Sequence, residues 1–255
     1  MKKLLTLLLS ILVVVSASAQ KQPKKVQPYN VFKGDTINRT DAKGLKQGVW
    51  KKYYSNDTLF SVGQFKDGKA YGVFKTYYKT GKFEASLTYR AGTSTCDMIS
   101  YNENGKLKAK GKYTDQKKDS VWNYYNEDGV LSSTESYING VEDGVWKTFY
   151  ANGKVSREVT YKKGKKNGPY KEYFDDGKLK VDANMVNDNY EGLVTMLYPD
   201  GKVWMQGKYI KHVREGVWNE FDETGKKVRE DKYKDGVLLN PPKEEMPKEK
   251  IPEPR

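Results

Sequence analysis

The chain has 255 residues, with one cysteine, one histidine and a formal net charge of +13 at pH 7. A single cysteine excludes an intrachain disulfide, so the fold must be stabilised by packing. The sole histidine, His212, excludes a catalytic triad and a multi-histidine metal centre. The basic composition favours acidic partners, such as anionic lipid, acidic polysaccharide or a negatively charged protein surface.

Residues 1–19 have the pattern of a secretory signal peptide. Lys2 and Lys3 precede an apolar run over residues 4–15, which is followed by Ala17-Ser18-Ala19. The run is too short to span a bilayer. We therefore predict cleavage after Ala19 and an exported protein, either periplasmic or associated with the cell envelope. Export makes nucleic acid the least expected partner.

Residues 20–47 form a mixed leader that we interpret as including a partial capping repeat. Only Tyr29, Asp41 and Gly44 in it fall in register with the sequence that follows. From residue 48 to residue 239 the chain repeats every 24 residues, without an insertion, in eight copies. Strict periodicity predicts a stacked repeat architecture. The copies begin at Gly48, Gly72, Cys96, Ser120, Gly144, Gly168, Gly192 and Gly216.

Each copy is predicted to be one β-hairpin. Counting the first residue as position zero, position nine is glycine in seven copies and usually follows Asn or Asp, as in Asn104-Gly105. This dipeptide favours a two-residue type I′ turn. Paired positions then sum to seventeen. The predicted fold is all-β, an elongated antiparallel meander of tandem 24-residue β-hairpins.

The register divides the side chains between two faces of the sheet. Position two, often tryptophan, is predicted to lie opposite position fifteen, so that the Trp50 ring covers Gly63. The aromatic position seventeen and the apolar position eleven are expected on that same face. The alternate positions are mostly polar, so the opposite face is predicted to be largely solvated.

Position five is the exception on the polar face, because it carries a row of aromatic residues that we call the aromatic ladder. With Lys51, Lys75, Lys147 and Lys171 beside it, this row is a candidate binding surface. The alternative is simple cross-strand packing between neighbouring hairpins. The ladder consists of Tyr53, Tyr77, Tyr101, Tyr125, Phe149, Tyr173, Leu197 and Phe221.

A second row, which we call the lysine edge, follows the hairpin tip at position ten. Its members would recur about every 10 Å along one edge of the sheet and could follow an anionic polymer or a layer of lipid headgroups. The alternative is a solvated margin that resists aggregation. The row consists of Lys82, Lys106, Lys154, Lys178, Lys202 and Lys226.

The remaining sequence predicts neither catalysis nor a cofactor. Cys96 occupies a column filled mostly by glycine, and we interpret it as a small-residue substitute, because no histidine recurs that could activate it as a nucleophile. The sequence contains no phosphate-binding loop, dinucleotide fingerprint or cysteine cluster. Residues 240–255 are rich in proline and charge and are predicted to be a disordered tail.

The string Tyr161-x-x-Gly164-x-x-x-Gly168-x-Tyr170-x-x-Tyr173, which closes on Asp176-Gly177, resembles the MORN repeat. It is similar to the bacterial MORN-repeat variants, many of which are described as YwqK-family antitoxins. The resemblance implies a scaffold or attachment surface, since MORN-type repeats elsewhere are associated with phospholipid and protein binding. The copies depart from the pattern at Cys96, Asp97, Gln116, Ser120, Asp188 and His212.

These observations lead to one expected function and two alternatives. We expect an exported, non-catalytic repeat scaffold that binds a protein partner through the aromatic ladder and the irregular copies. The first alternative is attachment to anionic lipid or an acidic envelope glycan through the lysine edge. The second is an antitoxin-like inhibitor of a partner toxin, which for an exported chain requires an exported toxin.

Overall fold

The computed structural model describes residues 30–32 and 35–240. The predicted signal peptide and residues 241–255 of the predicted tail lie outside the described residues. The described part of the chain contains strands and turns but no helix, and so no helix that could cross a membrane.

The chain divides into two compact units, Met1–Glu142 and Asp143–Arg255. The strands described in the first unit are β1 (Asn30–Phe32), β2 (Asp35–Ile37), β3 (Arg39–Thr40), β4 (Lys46–Tyr53), β5 (Leu59–Lys66), β6 (Lys69–Tyr77), β7 (Phe83–Tyr89), β8 (Thr95–Tyr101), β9 (Leu107–Thr114), β10 (Lys117–Tyr125), β11 (Leu131–Ile138) and β12 (Val141–Glu142). Those in the second are β13 (Gly144–Phe149), β14 (Val155–Lys162), β15 (Lys165–Tyr173), β16 (Leu179–Val186), β17 (Asn189–Tyr190), β18 (Gly192–Leu197), β19 (Val203–Ile210), β20 (Val213–Phe221), β21 (Lys227–Lys234) and β22 (Val237–Leu238).

Within each unit, successive strands pair antiparallel and form a meander of hairpins, which confirms the predicted all-β fold. The predicted register is also correct in all eight copies. Gly48 lies opposite Phe65 and Trp50 opposite Gly63, for example, and the same sum of seventeen holds from position zero to position four in every hairpin. The strands β1 and β2 form a separate two-stranded sheet.

The turn inside each hairpin differs from the predicted type I′ turn. Asn102 donates its N–H to the Lys106 carbonyl, and Gly105 donates to the Asn102 carbonyl, both at 2.8 Å. Gly105 has a φ of +82°, whereas Asn104 is not among the residues with positive φ. This is a three-residue loop with a glycine bulge. Asn104 serves instead through its side chain, whose Oδ1 accepts the Lys106 N–H at 2.9 Å.

Two-residue turns occur instead between consecutive hairpins, at positions nineteen and twenty. Both residues of each turn have positive φ, as a type I′ turn requires. In three of them, a non-glycine residue at position twenty adopts a conformation that L-amino acids rarely take. The turns are Asp67-Gly68, Asp115-Gln116, Asn139-Gly140, Lys163-Gly164, Asn187-Asp188, Lys211-His212 and Asp235-Gly236.

The glycine bulge also changes which residues share a face. It adds one residue to the second strand, so position eleven pairs with position five, as Phe83 does with Tyr77. The Phe83 ring lies 5.9 Å from the Tyr77 ring and 5.6 Å from the Tyr101 ring. The prediction that position eleven shares the tryptophan face is therefore wrong, because it packs with the aromatic ladder.

The buried face is held together by contacts between neighbouring repeats. A Cβ added to Gly111 would lie 2.2 Å from the ring of Trp122, in the next copy, and Gly63 is covered in the same way by Phe74. The sequence predicted a ring over this glycine but assigned it to the same hairpin. The correct ring comes from the following hairpin, because strand pairing is interrupted between Asp119 and Asn123 beside Trp122.

Replacing Gly111 with alanine should destabilise the first unit by about 1–3 kcal/mol, because the added Cβ overlaps the buried Trp122 ring. Urea denaturation followed by circular dichroism measures the loss. In a Trp122→Val background the same change should cost less, since Ala183 and Val194 occupy the equivalent positions in the second unit and pack in one cluster. Equal costs in both backgrounds would contradict this packing.

Candidate binding surfaces

The solvated face carries a row of exposed aliphatic residues that the sequence reasoning missed. These residues occupy position one, next to position two of the tryptophan face, and therefore point to the opposite face of the sheet. Their exposure runs from 40% for Val49 to 59% for Leu193. The signal was present as a 24-residue recurrence of valine. We call this set the valine row: Val49, Val73 and Val121 in the first unit, and Val145, Leu193 and Val217 in the second.

The aromatic ladder lies on the same face as the valine row, because positions one and five have the same parity along the strand. Every member of the ladder is half-buried. The contacts of Phe83 with Tyr77 and Tyr101 show that cross-strand packing accounts for part of this burial. A role of the ladder in binding stays a prediction.

The lysine edge is engaged within the protein. The Nζ atoms of Lys82, Lys178 and Lys202 donate to backbone carbonyls of Glu103, Pro199 and Glu223, each in the tip of the next hairpin, at 2.9, 2.8 and 2.6 Å. Two further members also donate to the tip of the next hairpin: Lys154 to the Asp176 carbonyl at 2.7 Å and Lys106 to the Asp128 carboxylate at 3.0 Å. These lysines tie each hairpin tip to the next one. Lys226 belongs to the last copy, which has no following hairpin among the described residues.

A tyrosine at position six makes a parallel set of ties. The Tyr54 hydroxyl donates to the Tyr77 carbonyl at 2.9 Å, and the Tyr78 hydroxyl to the Tyr101 carbonyl at 2.8 Å. In the second unit the donors are Tyr150 and Tyr198, and the acceptors are the carbonyls of Tyr173 and Phe221. Tyrosine at position six recurs in the sequence in four of the eight copies, and this recurrence is the sequence signal of these hydrogen bonds.

On the tryptophan face, position twenty-two places a cation over an aromatic pair in three copies. Lys46 Nζ lies 4.6 Å from the Trp50 ring centre and 4.7 Å from that of Phe65. Lys118 and Arg214 cover the equivalent rings of the copies that follow them. Cation–π attraction stabilises such contacts. We call these side chains cation lids.

The first unit contains a groove where the cation lid is missing. Ala70 and Ser94 occupy position twenty-two in two consecutive copies, and both line the groove. Its volume is about 840 Å³. Its apolar lining consists mainly of Leu87, Tyr89, Cys96, Met98 and Tyr113, while residues of three turns form the rest of the wall.

Cys96 marks the most irregular copy. It is the only position-zero residue without a positive φ among the eight copies. As a result β7 and β8 pair without interruption from Ala85 to Tyr89, so the following strand does not bulge as it does at Trp122. The thiol is buried, and burial raises its pKa to about 11. The neutral thiol fits a packing role, and the described residues contain no cluster of potential metal ligands.

The Cys96 thiol should therefore react slowly with iodoacetamide. At pH 8 a pKa near 11 leaves roughly one thiol in a thousand ionised, against about a quarter for an ordinary cysteine. We expect alkylation of the folded protein, followed by mass spectrometry, to be on the order of 100-fold slower than alkylation of the urea-unfolded protein. Equal rates would show that the thiol is accessible and ionised in the folded state.

Comparison with known proteins agrees with the hairpin repeat. The family model described as MORN repeat variant matches residues 46–67, 97–115, 142–163, 166–187 and 214–235. No curated protein matches the chain, so the resemblance to YwqK-family antitoxins is not confirmed. The MORN repeat is a non-catalytic repeat type that generally serves as a binding or scaffold module. The chain is thus a β-hairpin repeat protein with five segments that match the MORN repeat variant.

Proposed function

We propose that this chain is a non-catalytic scaffold that binds a protein partner through its solvated face. The observation that supports this proposal is the valine row, whose members are all at least 40% exposed. Exposed apolar side chains that group on one surface mark interaction sites in soluble proteins. Polar residues such as Gln64 and Thr88 lie opposite the valines on the paired strands, so each valine is an apolar contact within a mixed surface. Each unit carries three such contacts.

The rows beside the valines favour a protein over a lipid surface or an anionic polymer. Most of the lysine edge donates to the next hairpin tip, which fixes its side chains, and Lys106, Lys178 and Lys202 are also paired with the carboxylates of Asp128, Asp176 and Asp200, which offset part of the positive charge that an anionic layer would need. On the solvated face itself, Lys147 pairs with Glu158 at 2.6 Å. Aliphatic, charged and aromatic rows placed side by side match the mixed chemistry of protein interfaces.

The proposal is tested by replacing Val49, Val73 and Val121 together with threonine, which keeps the shape of valine and its preference for strands. With the mature chain as bait in an envelope fraction, we expect the triple variant to recover at least tenfold less of the partner that the native chain captures, because the apolar contact is lost. Circular dichroism should be unchanged.

Val130→Thr, at an exposed position outside the row, is the matched control and should capture normally. Anionic liposomes at low and high salt form the second arm of the experiment. Undiminished capture by the triple variant would reject the valine row as the binding surface. Salt-sensitive liposome binding without a protein partner would favour envelope attachment through the lysine edge instead.

We also propose that the scaffold acts outside the cytoplasm, on the basis of the Lys2–Ala19 pattern. Fractionation of cells that express the full chain should place it in the periplasm or envelope, and mass spectrometry should find a mature N-terminus at Gln20. An intact Met1 terminus in the cytoplasm would contradict export. An antitoxin-like role is a narrower form of the same binding function, and it requires a tight complex with an exported toxin.

A further inference from the structure

The cation lids define a recurring seat in this fold. In each case a long basic side chain at position twenty-two reaches over one ring at position two and another at position seventeen of the next copy. Arg214, for example, lies 4.4 Å from the Trp218 ring centre and 5.3 Å from that of Tyr233. The apolar stem packs on the rings and the charge faces their electron-rich surface.

The same seat is vacant twice in succession in the first unit. Ala70 is too short to reach Phe74 and Tyr89, and Ser94 is too short to reach Met98 and Tyr113, which are the residues that a lysine would cover at these positions. Tyr89 and Tyr113 are the position-seventeen rings of the two affected copies, and both line the groove. The groove lies where two consecutive lids are absent, and of these two rings the half-buried Tyr89 provides most of the accessible aromatic surface, since Tyr113 is only 5% exposed.

The groove also offers a poorly satisfied polar group. The Tyr89 hydroxyl oxygen is buried and has no hydrogen bond of normal length among the described residues, and its polar neighbour is the Cys96 thiol, which is only a weak hydrogen-bonding group. Burial raises the pKa of the Tyr89 hydroxyl, so the ring is a neutral phenol. A buried hydroxyl without a partner costs free energy, and a ligand with a hydrogen-bonding group can recover that cost.

The charges in the lining do not oppose a cation. Lys66 and Lys69 are balanced by Asp67 and Asp115, each of which begins a two-residue turn. A volume of about 840 Å³ exceeds one ammonium group and lies in the range of sites that hold a larger ligand. It can hold a basic side chain together with part of the chain that carries it.

We propose that this groove receives a lysine or arginine side chain of the protein partner, which takes the place that Lys46, Lys118 and Arg214 occupy in other copies. This inference rests on the proposed protein-binding function and identifies the chemistry of one contact. The partner's stem would lie against Leu87 and Met98, and its charge over Tyr89 and Tyr113. The groove would thereby bind an outside residue with the same contact that elsewhere holds the fold together.

The first test uses short peptides as probes. The peptide acetyl-Gly-Arg-Gly-amide is titrated into the mature chain, and the tyrosine ring resonances are followed by NMR, with Tyr89→Phe and Tyr113→Phe providing the assignments. We expect saturable, millimolar shifts at these two rings. The same peptide with citrulline, which is neutral and nearly isosteric, should bind at least tenfold more weakly. Equal binding of both peptides would overturn the proposal.

The second test places a lysine of the chain itself over the groove. Ala70→Lys should fold normally, because Lys46 and Lys118 occupy the same position in neighbouring copies, and it should weaken the arginine peptide at least tenfold. Ser94→Lys provides an independent second variant. Unchanged peptide binding by both lysine variants would overturn the proposal. Binding of tetramethylammonium but not of either peptide would assign the groove to a small quaternary ammonium compound, which also contradicts a partner side chain.

Partner capture separates this inference from the proposed function. If the lysine variants reduce capture, as we expect, the groove is part of the interface. If the valine-row variant loses capture while both lysine variants keep it, the groove proposal fails and the scaffold function stands. If none of these variants loses capture, both proposals fail.

Discussion

Each hairpin in this protein depends on its neighbours to complete the buried face, and the dependence is closest at Gly63, Gly111 and Gly207, each of which lies under a ring of the following copy. A two-stranded hairpin is marginally stable alone, and in these three copies the following hairpin places a ring where a Cβ would otherwise be. Trp122 over Gly111 and Trp218 over Gly207 show this contact in the first and second unit. The ring fits only where the facing residue lacks a side chain, so a shift of even one residue in the strand register would break the contact. This explains why the 24-residue period carries no insertion.

The hydrogen bonds at the hairpin tips also make each copy depend on the next one. Tyr78 and Lys82 reach forward to the carbonyls of Tyr101 and Glu103, so each copy supplies donors for backbone acceptors of its successor. Such carbonyls at a turn would otherwise depend on water. The lysine edge, which the sequence suggests as a charged binding surface, is thus largely engaged in contacts between repeats. The valine row, at the other end of the strands, remains exposed.

The sequence was sufficient for those features that depend on period and parity alone. The repeat, the hairpins, the pairing sum and the outward direction of the aromatic ladder follow from counting residues. The turn type did not, because Asn-Gly fits both a type I′ turn and a loop with a glycine bulge, and the difference lies in the φ of Asn104. The error carried over to position eleven, since the bulge shifts Phe83 to the other face. The sequence also did not predict which hairpin supplies the ring over Gly111, because this depends on an interruption of strand pairing between hairpins.

The groove is a feature that the sequence signals only indirectly. Its one sign is the small residue that replaces a lysine or arginine at position twenty-two. Position twenty-two reads Ala70, Ser94 and Lys118 in the first three copies, and Lys46 stands at the equivalent place just before the first copy. Only the contacts of the lysines reveal that a small residue there opens an aromatic seat. A single cation–π contact contributes about 0.5–2 kcal/mol, which is too little for stable binding on its own. In the proposed binding mode the groove would select a partner without holding it, and repeated contacts such as those of the valine row would supply the affinity. The regular copies would then provide most of the contact surface, and the irregular pair around Cys96 would determine which partner fits it.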